Sequence, residues 1–136
     1  MALLDDLADV LSSAGVATIG TTLFKGTLPS TPDEAIAIYQ TGGAPPVHTM
    51  SCGPGTARVE RPHVQAIARS GRADAAYKLA QDAYTALDAL GDRTVNGVRY
   101  LSVFALQAPF YLREDQTGRK EFSVNFEVTR EPATSS

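Results

Sequence analysis

The sequence predicts an α+β domain: a mostly antiparallel β-sheet, an N-terminal helix and one central helix packed on its apolar face, and a long Gly/Pro-rich arm. Three observations carry this. Two segments repeat their apolar residues with helical spacing, one C-terminal segment alternates with a period of two, and an Asn-Gly pair sits between them where a tight hairpin is expected.

The first helix comes from Leu3, Leu4, Leu7, Val10 and Leu11, which fall on one stripe. Asp5, Asp6 and Asp9 lie on the other side, read as a solvated face, and Gly15 is the expected stop. Residues 17–25, rich in Thr, Ile and Phe, predict a strand, and 27–33, with two prolines, a turn. Ala35 to Tyr39 reads as a short buried strand. From Thr41 the composition shifts to Gly and Pro with little that builds a core, which predicts a projecting arm over 41–57.

Residues 58–70 predict a strand entered through Glu60-Arg61-Pro62, with the proline at a strand start or edge. Residues 74–90 predict the main helix, striped by Ala76, Leu79, Ala80, Ala83, Leu87 and Leu90 and closed by Gly91. Val95-Asn96-Gly97-Val98 predicts a type I′ hairpin. A long strand over 98–112 should bend or end near Pro109, and Asp115-Gln116-Thr117-Gly118 should turn. In 120–130, Phe122, Val124, Phe126 and Val128 point one way and Glu121, Ser123, Asn125, Glu127 and Thr129 the other. One domain over 1–130 is expected, followed by a loose polar tail, 131–136.

The 136 residues are 43% hydrophobic and 20% charged, which is globular rather than disordered. A net charge of −3 disfavours a protein that grips duplex DNA, because phosphate binding needs clustered Lys and Arg. The single cysteine, Cys52, forms no disulfide within the chain and fits a reducing origin. The N-terminus lacks the pattern of a signal peptide, and no apolar run approaches a membrane span, so no membrane partner is expected.

The search for chemistry returns little. His48, Cys52 and His63 are the candidates for a metal or a Cys–His nucleophile, but their spacing matches no zinc motif, and a catalytic thiolate needs a preorganised base. Gly42-Gly43 and Gly53-Pro54-Gly55 lack the context of a phosphate cradle. Tyr77 and Tyr84, seven apart, share a helix face as core edge or subunit contact. No catalytic residue, cofactor or metal is expected. Arg113, Glu114, Asp115, Arg119, Lys120 and Glu121 surround the second turn with mixed signs, which serves solubility or docks on a partner.

Several segments together resemble the tail terminator or minor capsid proteins of long-tailed phages, which act at the head–tail junction. The residues that carry the resemblance are Glu60-Arg61-Pro62, then Val64 to Ser70, Ala76-Tyr77 with the helix to Leu90, and Tyr100-Leu101 with Gln107-Ala108-Pro109. Asp115 to Arg119 leading into Ser123-Val124-Asn125-Phe126, and upstream Ala37 to Gly43, complete it. The pattern spans about 19–128 without one diagnostic motif, and 44–57 match least.

The resemblance implies a structural, non-enzymatic virion protein, assembled in the host cytoplasm. It implies a ring, usually a homohexamer, that caps the tail tube, ends its polymerisation and faces the neck proteins. DNA would cross its channel without sequence-specific binding. Expected interface residues are Glu60, Arg61, Gln65, Arg69, Arg113, Asp115 and Arg119; for Gln65 and Arg69 a solvated sheet face is the competing reading. A head-completion stopper or adaptor is the neighbouring alternative. A small enzyme or ligand-binding module using His48, Cys52 or His63 is the distant one.

Overall fold

A computed structural model describes residues 2–48, 58–88 and 90–131. The elements run α1 (Ala2–Ser13), β1 (Leu23–Lys25), β2 (Ala35–His48), β3 (Arg58–Ser70), α2 (Ala73–Leu87), β4 (Arg93–Val95), β5 (Val98–Ala105), β6 (Phe110–Glu114) and β7 (Lys120–Arg130). The seven strands form one sheet in the order β1-β2-β3-β7-β5-β4, with β6 also on β7. Every pairing is antiparallel except β1 on β2. The α+β class and the antiparallel sheet agree with the sequence.

The leucine stripe of α1 is fully used: Leu3, Leu4, Leu7, Val10 and Leu11 are all buried. They join Ala80, Ala83 and Leu87 of α2 and Ile36, Ile38, Val64, Val124, Phe126 and Val128 of the sheet in one core. Burial of a side chain such as Leu7 is worth roughly 1.5–3 kcal/mol. Gly15 ends α1 at φ +79°. Its N–H donates to Ser12 O and that of Val16 to Leu11 O, a Schellman closure in which Val16 then packs on the core. Asn96 (φ +50°) and Gly97 (φ +82°) make the β4–β5 turn.

Several boundaries differ from the sequence reading, each for a local reason. Only Leu23–Lys25 of the expected strand 17–25 is strand. Before it, the Thr22 and Leu23 N–H groups both donate to Thr18 O at 2.9 Å, and Thr22 Oγ1 accepts from Thr18 N, so the threonines close a turn instead. α2 stops at Leu87, short of Gly91. Asp88 turns extended, and its carboxylate accepts the Ala105 N–H of β5 at 2.8 Å. Leu90 consequently bridges to Val103 of β5 instead of closing a helix stripe.

The expected arm begins as strand. Residues 41–48 extend β2 and pair with β3 as far as His48↔Arg58. Side-chain pattern hid this, because the ladder bonds are made by backbone groups that Gly and Ala carry as well as any residue. At Gly43 a Cβ would lie 2.6 Å from Arg61 O and 2.7 Å from Pro62 Cα, so only glycine permits this approach. The remaining arm residues, 49–57, and the tail from 132 onward lie outside the described residues. Pro62 is neither at a strand start nor on an edge. It sits inside β3, at a gap in the β7 ladder between Glu60↔Arg130 and His63↔Glu127, where no N–H is required.

Two variants test this packing by urea unfolding. Phe126→Ala, at a fully buried site, should lose about 3–5 kcal/mol. Gly43→Ala should lower stability although it adds only a methyl, because β2 must move away from β3; an unchanged midpoint would contradict the close approach.

Candidate functional site

The helices cover one face of the sheet; the other face carries most of the side chains singled out in the sequence. β3 and β7 lie in register there, with Arg69 opposite Glu121, Ile67 opposite Ser123, Gln65 opposite Asn125 and His63 opposite Glu127. Since side chains alternate along a strand, all eight point away from Val64, Phe126 and the helices. His63 Nε2 lies 3.1 Å from Glu127 Oε2, and Gln65 Nε2 donates to Ser123 Oγ at 2.9 Å.

Toward the Ser70 end this face is closed by the chain itself. Arg69 is only 3% exposed. Its guanidinium donates to the carbonyls of Pro32 and Asp33 in the loop before β2. Desolvation, with the like charge of Arg119 beside it, lowers the guanidinium pKa. Glu121 is buried beneath Arg113, whose Nε lies 2.9 Å from its Oε1. The period-two reading placed Glu121 and Ser123 on a polar side, which they are, but both are buried.

Arg119 latches the same loop from the β6–β7 turn. Its Nη1 donates to Ser30 O at 2.5 Å and its Nε to Asp115 Oδ2 at 2.7 Å. Asp115 organises that turn: Oδ1 accepts from Thr117 N, Thr117 Oγ1 and Arg119 N at 2.9–3.0 Å. Desolvation raises the Asp115 pKa, but the bonds from Arg119 and Thr117 outweigh it and hold the carboxyl at about 2, against an ordinary 3.8.

The structure thus gathers Arg69, Arg113, Asp115 and Arg119 near one end of the sheet, with Gln65 midway along the same face. Glu60 and Arg61 stand apart, far along β3. Glu60 faces Arg130 at 3.3 Å, and Arg61 lines a shallow cleft with Gln40, Gly42, Gly43 and Pro62. His48 lies in β2 opposite Arg58, away from His63, and Cys52 lies outside the described residues. Among the described residues no group of three or more His, Cys, Asp or Glu is arranged to hold a metal ion.

Two features escaped the sequence reading. Asp6 is not on a solvated face: it is 2% exposed and accepts hydrogen bonds from the Tyr100 hydroxyl and from Asn96 Nδ2. Burial, and then this carboxylate, push the Tyr100 hydroxyl pKa up. The second is a set of exposed apolar side chains on β5, β6 and their connection: Phe104 and Phe110, opposite Glu127 and Ser123 on the open face, Leu106 between them in sequence, and Tyr111, opposite Phe122 on the helix side. Tyr111 and Tyr77, the latter on α2, each meet Phe122 edge-on at 5.6 Å. The available signal was the run from Tyr100 to Leu112, which holds no charged residue.

A family described as "Bacteriophage tail terminator protein" matches residues 10–132 of the chain. No curated protein matches it. Among solved structures, the chain is similar to one in the virion of a native gene transfer agent particle. The identity is 16% and the TM-score 0.62, covering 96% of this chain and 95% of that one, a likeness of fold.

The Asp115 turn gives a pH-dependent prediction. Its folded pKa is depressed, so its contribution is complete above about pH 4 and fades as pH falls toward 2. Asp115→Asn should therefore melt below the wild type at pH 7, and the difference should shrink by pH 2.5. A pH-independent difference in thermal scans would contradict the assignment.

Proposed function

The chain belongs to the bacteriophage tail terminator family, structural proteins of the phage virion, and from that premise we propose that it forms the ring that caps the tail tube. In this reading the ring ends tube polymerisation and then joins the tail to the neck proteins of the head. The observation that carries the proposal is the family match across 10–132, nearly the whole domain. The exposed apolar margin of β5 and β6 supports it, since a ring subunit must bury surface against neighbours. A homohexamer at the tail–neck junction is the proposed assembly, with the tube protein below and a neck protein above.

The electrostatics suit that position. A net charge of −3 leaves the subunit weakly repelled by phosphates. DNA would then pass through the channel without being held, because affinity for the backbone rests on cations that displace counterions. Glu60, Arg61, Gln65, Arg69, Arg113, Asp115 and Arg119 remain the proposed contact set. Arg69 and Arg119 act first on their own loop, so their effect on a partner is to fix the shape of the face presented.

Two measurements test the proposal. Phage assembled without this protein should carry tubes of uncontrolled length that fail to join heads, as seen by electron microscopy. Purified protein should sediment as a ring of several 14.4 kDa subunits at high concentration. Tails of normal length on joined heads in its absence would overturn the terminator reading; protein found above the neck's first ring would favour a stopper or adaptor.

A further inference from the structure

The sheet is unfinished at two places. β1 covers only Ile36, Ala37 and Ile38 of β2. Beyond them Gln40, Thr41, Gly42 and Gly43 are exposed, and among the described residues no strand pairs with their outer margin. On the opposite margin, β6 pairs with β7 alone among the described residues. Unpaired margins present N–H and C=O groups that accept another strand.

The two margins are complementary in direction and offset along the strands. β6 lies beside the start of β7, at Lys120 to Ser123, level with the Ser70 end of β3 and the Ala35 end of β2. The open part of β2 begins three residues further along β7, level with Val64 and Phe126. Such an offset along the strands is the stagger that a closing sheet needs. β2, β3, β7 and β6 alternate in direction, so β6 runs opposite to β2. A second copy related by rotation about an axis inclined to the strands therefore offers its β6 antiparallel to the first copy's β2, the inclination taking up the offset.

The chemistry matches as well. β2 contains no Asp, Glu, Lys or Arg in its 14 residues. The run from Tyr100 to Leu112 contains none either, in a chain that is 20% charged. Residues 40–43 and 110–112, which would meet, bring no charged side chain of their own into the contact. Phe104, at 54% exposure, and Leu106, at 51%, gain cover beside the contact. Pro45 and Pro46 in β2 and the register break between Tyr111 and Arg113 in β6 keep the contact short. That length favours a defined joint over open-ended strand stacking.

We propose that the joint between neighbouring copies is head-to-tail: the margin of residues 40–43 of one copy docks antiparallel on β6 of the next, flanked by Phe104, Leu106 and Phe110. Each copy uses both margins once, the heterologous arrangement that closes a ring. This rests on the ring reading above and adds which surfaces meet.

The test uses full-length protein carrying Cys52→Ser to remove the native thiol. Gln40→Cys and Phe110→Cys are added together, and a short bismaleimide cross-linker is applied. The double variant should give a covalent ladder ending at the closed ring, and neither single variant should give one. A ring that assembles yet shows no ladder, or a single variant that cross-links to dimers, overturns the joint and leaves the terminator reading standing. Protein that never assembles overturns both.

Phe104→Asp with Leu106→Asp should raise the concentration for half assembly by about tenfold or more, equivalent to roughly 1.4 kcal/mol, at an unchanged melting temperature. Thr85→Asp on the exposed side of α2 should leave assembly as it was. A Phe104/Leu106 variant that assembles like the wild type also overturns the proposal; if it fails to fold, the cross-linking result decides.

Discussion

The ladder between β3 and β7 is the constraint on which the structure depends. These two strands are central, so each must satisfy different chemistry on its two faces while keeping one register. On one face Val64, Ala66 and Ala68 meet Val124 and Phe126 beneath the helices. On the other, Gln65, Arg69, Glu121 and Ser123 form a polar layer that is itself largely buried. A slip of one residue would exchange the faces, placing Arg69 and Glu121 in the apolar core and Phe126 among charges. The cost of burying unpaired charge makes that register the one that folds.

The polar layer does structural labour before any partner arrives. Arg69 and Arg119 reach the carbonyls of the loop before β2 and tie it over the sheet. Asp115 holds Arg119 in place from within the turn. At the opposite end, Asp6 gathers Tyr100 and Asn96, linking α1 to β5 and its hairpin. Both ends of the domain are thus closed by hydrogen-bonded carboxylates, and at Asp6 those bonds make full burial tolerable. With the ends fixed, the loop, the β6–β7 turn and the sheet margins keep one shape. A structural protein of the virion gains from that, because interfaces reward surfaces ordered in advance.

What remains open is concentrated at the margins. The tail terminator family supplies a structural role in the virion, and the fold shared with a chain of a gene transfer agent particle shows the same architecture in another assembled particle. Within this chain, the apolar side chains left exposed on β5 and β6 and the uncovered length of β2 are where the sheet would gain most from a neighbour.

The sequence by itself determined the elements whose cause is local. Helical spacing placed α1, and period-two alternation placed β7 to its ends. Asn96-Gly97 set one turn and Asp115 to Gly118 the other, since each rests on φ preferences or side-chain bonds within a few residues. It also carried the family resemblance, which is distributed along the chain. Tertiary structure decided whatever depends on groups far apart in sequence. Asp6 is buried because Tyr100 lies over it, α2 ends early because Ala105 claims Asp88, and Gly42-Gly43 joins a strand because β3 lies alongside. Glu60 and Arg61 part from Arg69, Arg113 and Arg119 for a simple reason: a strand of 13 residues carries its two ends to opposite ends of the sheet. Contacts of that kind have no periodicity to read, since what fixes them is the position of a second segment and not the pattern of the first.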